Sequence, residues 1–216
     1  MVTRYKAVKE FTKKLSPDDV VIFFGDRLCE EAYVNDRSGN FYYKAPSCDL
    51  AALALGIAMT SIKRVFVVTT DNVFLRFIST AFQMAVSQCK NIYYVLLVSG
   101  SYISAGGHPN VFYSSSHPQG LLFRMGFTSF IFDSYFKSSE KLEEMSNIIS
   151  TMVGPASIII NVLPRKSTYK KIDKPNSFFI NRLKKFLLDD KTAMFNPPPL
   201  DTFNLDTVKE KEINAI

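Results

Sequence analysis

The chain has 216 residues, of which 47% are hydrophobic and 13% aromatic, so it is long enough to bury one sizeable core. Charged residues of both signs make up only 21%, which excludes an intrinsically disordered chain. The formal net charge of +6 is carried by residues 165–191, where nine Lys and Arg face three Asp, so the part before them is close to neutral.

Strand-like and helix-like patterns alternate along the first half of the chain. The apolar run Val20–Phe24, closed by Gly25, is typical of a strand buried on both faces. A helix over residues 3–15 precedes it. The elements that follow are a short helix over 28–33, a strand over 41–44, a helix over 48–61, a strand over 64–69 and a helix over 73–88.

The second half repeats this alternation. A strand over 91–98 leads into a Gly- and Ser-rich loop that ends near Ser116. The remaining elements are a helix over 117–125, a strand over 129–133, a helix over 138–152 and a strand over 156–163. Strands that are apolar throughout and alternate with helices require a parallel sheet covered on both faces. We therefore predict a doubly wound α/β fold, with a mostly parallel sheet of about six strands and helices on both faces.

Ligand sites in such sheets lie outside the carboxyl ends of the strands. The candidate ligand-binding loops are therefore those after Phe24, Thr69, Val98 and Asp133. Glu30 and Glu31 follow the first of these loops, and we expect both on a solvated helix face.

A change in composition after residue 163 divides the chain. We predict a first domain over 1–164 and a second segment over 165–216, which comprises a basic linker, an amphipathic helix over 177–189 and an extended tail around the prolines 197–199. Lysines interleaved with aromatic residues make residues 165–191 a candidate site for nucleic acid or an acidic partner. A solvated arm without a ligand is the alternative.

The cysteines and the apolar runs of the sequence indicate in which cellular compartment we expect the protein. Cys29, Cys48 and Cys89 are odd in number and widely spaced, which is typical of neither a disulfide framework nor a zinc site. The first residues lack the apolar core of a secretory signal, and no apolar run approaches the ~20 residues that span a bilayer. We expect a cytoplasmic protein that does not enter a membrane.

Familiar catalytic and nucleotide-binding motifs are absent from the sequence. No GxGxxG or Walker loop follows a predicted strand, and neither HExxH nor GxSxG is present. Two histidines are too few for most zinc and Ser-His-Asp sites. Polar residues follow two neighbouring strands, with Asp71 after the strand over 64–69 and Ser99 after the strand over 91–98. Asp71 fits either a helix N-cap or a ligand residue.

The two strand ends carry a recognisable order of residues. The run Val65-Phe-Val-Val-Thr-Thr-Asp71-Asn72 is followed, after one helix and one strand, by Ser99-Gly100-Ser101 and then by Gly106-Gly107-His108-Pro109. This order resembles the diphosphate-binding domain of thiamine-diphosphate-dependent enzymes. The resemblance covers residues 19–163 and is greatest to the small separate subunits of sulfopyruvate and phosphonopyruvate decarboxylases.

The resemblance implies a site for thiamine diphosphate and Mg²⁺. In the family, a carboxylate, an asparagine side chain and a backbone carbonyl hold the metal against the diphosphate. By position, the metal ligands fall on Asp71, Ser99 and Ser101. The residues implied to bind the cofactor are Asn72, Gly100, Gly106, Gly107 and His108. No catalytic residue is implied, because the family's activating glutamate lies on a separate pyrimidine-binding domain.

The sequence departs from the family pattern at the metal site. Thr70 and Asn72 stand where the family has glycines beside the aspartate, and Ser99 stands where it has asparagine. These departures favour a pseudoenzyme that acts as a structural or interaction subunit. The alternatives are the diphosphate-binding subunit of a two-chain 2-oxo acid decarboxylase and nucleic-acid binding by residues 165–191. The resemblance also implies a homo-oligomer or a hetero-oligomer with a pyrimidine-binding chain.

Overall fold

Six strands form one parallel sheet in the computed structural model, which describes residues 2–43, 50–103, 106–113, 117–164 and 169–188. Two further short strands lie outside this sheet. In chain order, the strands of the described residues are β1 (Val20–Phe24), β2 (Asn40–Tyr43), β3 (Val65–Thr70), β4 (Ile92–Val98), β5 (Ser101–Tyr102), β6 (His108–Pro109), β7 (Thr128–Ile131) and β8 (Ala156–Asn161). The sheet order is β2-β1-β3-β4-β8-β7, and every neighbouring pair is parallel. The two-residue strands β5 and β6 pair with each other as an antiparallel hairpin. The predicted doubly wound α/β fold is confirmed.

Helices cover both faces of this sheet. They are α1 (Arg4–Thr12), α2 (Asp26–Tyr33), α3 (Leu50–Thr60), α4 (Asp71–Arg76), α5 (Ile78–Val86), α6 (Pro118–Met125), α7 (Ser139–Thr151) and α8 (Asn176–Leu188). The connections through α2 and α7 run towards the β2 edge of the sheet, whereas those through α3, α5 and α6 run towards the β7 edge. Because such crossovers are right-handed, the two groups of helices lie on opposite faces of the sheet. Helix α3 packs against α5 and α5 against α6, as this arrangement requires.

The strands form because their side chains are apolar on both faces. All residues of β1 and β4 are buried. Aromatic rings join the sheet to α1, where Phe66 of β3 lies 5.8 Å from Phe11 and 4.6 Å from Tyr93, measured between ring centroids. Burying a side chain of this size stabilises the fold by about 1.5–3 kcal/mol.

The strand order reverses next to β1, and this reversal locates a crevice. From β1 the chain crosses to β2 on one side, and it then returns to β3 on the other side of β1. The loops that leave β1 and β3 therefore diverge, so a crevice opens between Gly25 and Asp71. Ligands of doubly wound sheets bind at such a point.

The single helix predicted over 73–88 is in fact two helices. The first, α4, begins at Asp71 and not at Val73, and the chain leaves helical geometry at Phe77 (φ −124°, ψ 32°). The Phe77 ring packs 5.2 Å from that of Phe24 at the end of β1. Contact with the sheet therefore outweighs continuation of the helix at this residue.

The amphipathic helix predicted near the C-terminus is present as α8. Its buried Phe179 packs 5.3 Å from Tyr42 of β2, and Arg182 pairs with Asp36 at 2.6 Å. Helix α8 thus lies on the edge of the sheet, while the boundary predicted at 164 stays a prediction. Within the described ranges, no helix is both long enough and apolar enough to cross a membrane.

Candidate functional site

Asp71 is the most engaged polar residue at the carboxyl edge of the sheet. It follows β3 directly, occupies the first position of α4 and is fully buried. Its Oδ2 atom accepts hydrogen bonds from the backbone N–H groups of Ser99 at 2.9 Å and Gly100 at 2.8 Å. The side-chain amide of Asn110 donates to the same oxygen at 3.0 Å. The Asp71 carboxylate therefore fastens the end of β3 to the loop that follows β4.

The backbone carbonyl of Ser101 lies in the same cluster and is also occupied by donors of the chain. The Asn72 side-chain amide donates to it at 2.9 Å, and the Ser99 hydroxyl at 3.2 Å. The Ser99 hydroxyl also lies 3.2 Å from Asp71 Oδ2. The fold thus brings together all three predicted metal ligands, Asp71, Ser99 and Ser101, with Asn72 beside them.

Asn110 belongs to this cluster and was missed by the sequence analysis. Its amide bridges Asp71 Oδ2 and Asn72 Oδ1, the latter at 2.9 Å, and its own oxygen accepts from the Phe112 N–H at 2.9 Å. The matched stretch ends at Pro109, one residue earlier. One feature of the sequence could have indicated it: Asn110 is a single amide residue between Pro109 and the apolar pair Val111-Phe112. An asparagine buried among apolar residues needs hydrogen-bond partners for all its polar atoms.

The other predicted cofactor residues lie on the β5–β6 hairpin. Gly100 begins it with a φ of +68°, and a Cβ atom there would lie 3.2 Å from the Cα of Tyr113, so this position requires glycine. Gly106, Gly107 and His108 are exposed at the far end of the hairpin. Their assignment to a cofactor stays a prediction.

Magnesium needs free oxygen ligands at ~2.1 Å in octahedral geometry. Here the oxygens of Asp71 and Ser101 already face hydrogen atoms of Asn72, Ser99 and Asn110. The Asn72 amide thus satisfies the Ser101 carbonyl, and the Asn110 amide satisfies Asp71 Oδ2. The residues as arranged therefore do not fit a magnesium ion. The described residues also contain no group of three or more His, Cys, Asp or Glu side chains that could hold a metal.

A cavity of about 650 Å³ occupies the crevice at the strand reversal. Asp71, Asn72 and Ser99 line one side of it, and its arginines come from three helices. These arginines are Arg4, Arg27 and Arg76.

Arg4 is held at this cavity by a buried carboxylate. Its Nε and Nη2 atoms donate to the two oxygens of Glu31 at 2.7 and 2.9 Å, and the Glu31 side chain is only 1% exposed. The expectation that Glu31 lies on a solvated face is wrong, because α2 turns this residue towards α1. The pair fixes the direction of the Arg4 guanidinium.

Most of the described basic residues of the segment 165–191 are exposed, whereas Arg182 is partly buried and pairs with Asp36. The exposed lysines are Lys170, Lys171, Lys174, Lys184 and Lys185. Of the aromatic residues beside them, Phe179 is buried, Tyr169 is partly buried with its ring stacked on Tyr5 at 5.1 Å, and Phe178 is exposed. Residues 165–168 and 189–191 lie outside the described residues, and nucleic-acid binding by 165–191 stays a prediction.

Comparison with known proteins bears on the fold. No family model and no curated protein matches the chain. A solved structure does match, with a TM-score of 0.57 and 16% identity, over 76% of this chain and 32% of the other. That protein, isolated from Mycobacterium smegmatis, is described as a candidate thiamin diphosphate-dependent enzyme. At this identity the likeness shows a shared fold, and the chain spans about a third of that protein's length.

Proposed function

We propose that this chain is a structural or interaction subunit that keeps the fold of thiamine-diphosphate-dependent enzymes and has lost their metal site. One observation carries the proposal: the buried Asp71 carboxylate accepts hydrogen bonds from Ser99, Gly100 and Asn110. A carboxylate engaged in this way holds two loops together. Its role is structural, as the role of a buried, loop-fixing aspartate commonly is.

An exposed apolar face supports the interaction role. Helix α3, Leu50–Thr60, contains no charged residue, and an all-apolar helix is typical of one that is covered on every side. Its neighbour α5 also turns large apolar side chains to solvent. We define the α3–α5 surface by the exposed residues Leu53, Met59, Ile78, Phe82 and Val86.

The occupant we propose for the α3–α5 surface is a second copy of the chain. None of its five residues is charged, so two copies would meet there without repulsion between like charges of these residues. Exposed large apolar residues on two helices that contact each other are typical of interaction sites in soluble proteins. A hetero-oligomer through the same surface would have to bury an equally uncharged face of another chain.

Sedimentation velocity at micromolar concentration tests this role. We expect a dimer, and we expect Phe82→Glu to convert it to a monomer because a charge would be buried in the contact. Val34→Glu is the matched control, since Val34 is exposed to a similar extent, 53% against 50%, at the end of α2 on the opposite face. A wild-type monomer, or a Phe82→Glu variant that remains dimeric, would contradict the proposal.

A second candidate is the diphosphate-binding subunit of a two-chain decarboxylase. The observation that favours it is the convergence of Asp71, Ser99 and Ser101, which the resemblance implies as metal ligands. This function requires the amides of Asn72 and Asn110 to turn away from those oxygens. It predicts that thiamine diphosphate with Mg²⁺ raises the melting temperature, whereas the proposed role predicts no change.

A further inference from the structure

The outward face of α8 combines lysines with large apolar side chains. Helix α8 packs on β2 at the edge of the sheet with Phe179 and Leu183 buried, and its other side is exposed to solvent. We define the α8 outer face by six exposed residues: Lys174, Phe178, Ile180, Lys184, Lys185 and Leu188. Five of them lie on the helix, and Lys174 lies two residues before it. A partner of this face has to accommodate three cations and three apolar groups together.

The spacing of these residues places the cations and the apolar groups side by side. Ile180, Lys184 and Leu188 recur every fourth residue and form one row along α8. Phe178 and Lys185 are seven residues apart and form a second row. Lys185 and Leu188, three residues apart, connect the two rows. The face is therefore mixed, and a ligand that offers only charge would leave its apolar residues in water.

The lysines of the α8 outer face point their charges to solvent. Lys174, Lys184 and Lys185 are exposed, and within the described part of the chain none of them takes part in an ion pair. The Nζ atom of Lys174 lies 5.8 Å from the centre of the Phe178 ring, a contact that does not neutralise its charge. These three charges are therefore available to an anionic partner.

The aspartates near α8 leave an excess of positive charge. Asp36 pairs with Arg182, and Asp18 lies 3.9 Å from Lys63, so these two carboxylates are engaged away from the outer face. The other aspartates of the segment are Asp173, Asp189 and Asp190, the last two outside the described residues. All three are included in the count of nine Lys and Arg against three Asp over residues 165–191. The segment that contains α8 is therefore positive with every one of its aspartates counted.

We propose that the α8 outer face binds the surface of an anionic lipid bilayer. Each lysine near such a surface strengthens binding by about fivefold, through attraction to the acidic headgroups. The three apolar side chains leave water by entering the boundary between headgroups and acyl chains. Ile180 and Leu188 favour a lipid over a nucleic acid, since aliphatic side chains do not stack on bases as aromatic rings do.

The proposed contact is peripheral. Helix α8 keeps Phe179 and Leu183 on the sheet, so only the side chains of its outer face meet the lipid. The α8 outer face lies at the β2 edge and shares no residue with the α3–α5 surface. The proposal therefore adds a ligand to the structural role above and does not depend on it.

Co-sedimentation of the full chain with lipid vesicles tests the proposal. Vesicles of phosphatidylcholine alone are compared with vesicles that also contain phosphatidylserine. We expect the chain to bind the second kind at least ~tenfold more tightly, and we expect this binding to weaken as the salt concentration rises. No binding to vesicles that contain phosphatidylserine would overturn the proposal. The structural role would stand, because sedimentation velocity tests it without lipid.

Lysine variants locate the contact on α8. The double variant Lys184→Gln with Lys185→Gln should weaken vesicle binding by about 25-fold, fivefold for each lysine. The matched control is Arg124→Gln with Lys137→Gln, which removes the same charge from exposed residues of α6 and of the chain just before α7. The control should retain most of the binding. Equal losses in the two double variants would mean that binding follows net charge alone, which would overturn the proposal.

Apolar variants distinguish a lipid from a nucleic acid. Ile180→Gln with Leu188→Gln keeps the charge and should weaken vesicle binding by about tenfold, because less apolar surface leaves water. Ile131→Gln with Val153→Gln, exposed residues of β7 and of the chain just before β8, is the matched control and should bind as the wild type does. Unchanged vesicle binding in the α8 variant would overturn the proposal. Binding of a single-stranded oligonucleotide in place of vesicles would also overturn it and would identify nucleic acid as the partner.

Discussion

The side-chain amide of Asn110 donates a hydrogen bond to the carboxylate of Asp71 at 3.0 Å, across 39 positions of sequence. This contact joins the end of β3 to the far side of the β5–β6 hairpin. Both residues are buried, so water does not replace the bond when it is lost. The carboxyl edge of the sheet is therefore organised by the chain's own donors.

Replacing Asp71 with Ala should destabilise the protein by about 3 kcal/mol, because the buried N–H of Gly100 and the partly buried N–H of Ser99 would lose their acceptor. Urea denaturation measures the change. Ser99→Ala is the milder comparison, since the hydroxyl bonds it removes are long, 3.2–3.4 Å. A loss below ~1 kcal/mol in Asp71→Ala would show that the carboxylate does not hold the loop.

Asn110→Asp should destabilise the protein more than Asn110→Ala does. The aspartate would place a second carboxylate about 3.0 Å from Asp71 Oδ2 in a buried site, where like charges repel strongly. The alanine variant removes the amide that donates to Asp71 and Asn72 and the acceptor of the Phe112 N–H, but it introduces no charge. Comparing the two midpoints of urea unfolding provides the measurement, and an aspartate variant at least as stable as the alanine variant would contradict the geometry of this contact.

Glu31→Gln should cost about 3–5 kcal/mol, since it leaves the largely buried Arg4 without its counter-charge. Replacing both partners, Arg4→Met with Glu31→Leu, should restore most of the stability because no buried charge remains. Chemical denaturation of Arg4→Met, Glu31→Leu and the double variant tests this, because the cycle needs each substitution alone and both together. Additive losses would mean that the two residues do not form the pair described.

Stability should fall above pH ~10, where unfolded tyrosines ionise. Burial and the negative charge of Asp36 raise the pKa of Tyr42, and burial also raises the pKa of Tyr93. Both phenols therefore stay protonated in the folded chain while the unfolded chain loses its protons, so their contribution is complete below pH ~10 and decreases as the pH rises through that range.

Tyr42→Phe should consequently show a shallower loss of stability between pH 10 and 11 than the wild type. It should also be about 1 kcal/mol less stable at neutral pH, because the Tyr42 hydroxyl donates to Asp36 and accepts from Asn40. Urea unfolding at pH 8, 10 and 11 provides the values. The exposed Tyr113 serves as control, and a Tyr113→Phe slope equal to that of Tyr42→Phe would contradict the assignment.

The sequence predicts the sheet well because its strands are apolar on every residue. Val20–Phe24 and Ile92–Val98 have no alternation that would suit a half-exposed strand or an amphipathic helix, so only burial on both faces accounts for them. The break at Phe77 was not predictable in the same way. It depends on a contact with Phe24, which is distant in sequence.

The sequence predicts which residues meet at the candidate site, but it does not predict the hydrogen-bond partners of their oxygens. The ends of β3 and β4 are adjacent in any sheet with this strand order, so Asp71 and Ser99 had to meet. Whether their oxygens face a cation or an amide depends on Asn72 and Asn110, whose side-chain directions depend on contacts with residues distant in sequence, Ser101 and Asp71. Local sequence patterns do not encode those directions.

We propose that the Asp71 cluster, whose carboxylate is satisfied by the chain's own donors, binds no metal. Isothermal titration calorimetry of thiamine diphosphate into the purified chain, with millimolar Mg²⁺ in both solutions, measures this. We expect no saturable heat of binding. A saturable heat that disappears when Mg²⁺ is withheld would contradict the proposal.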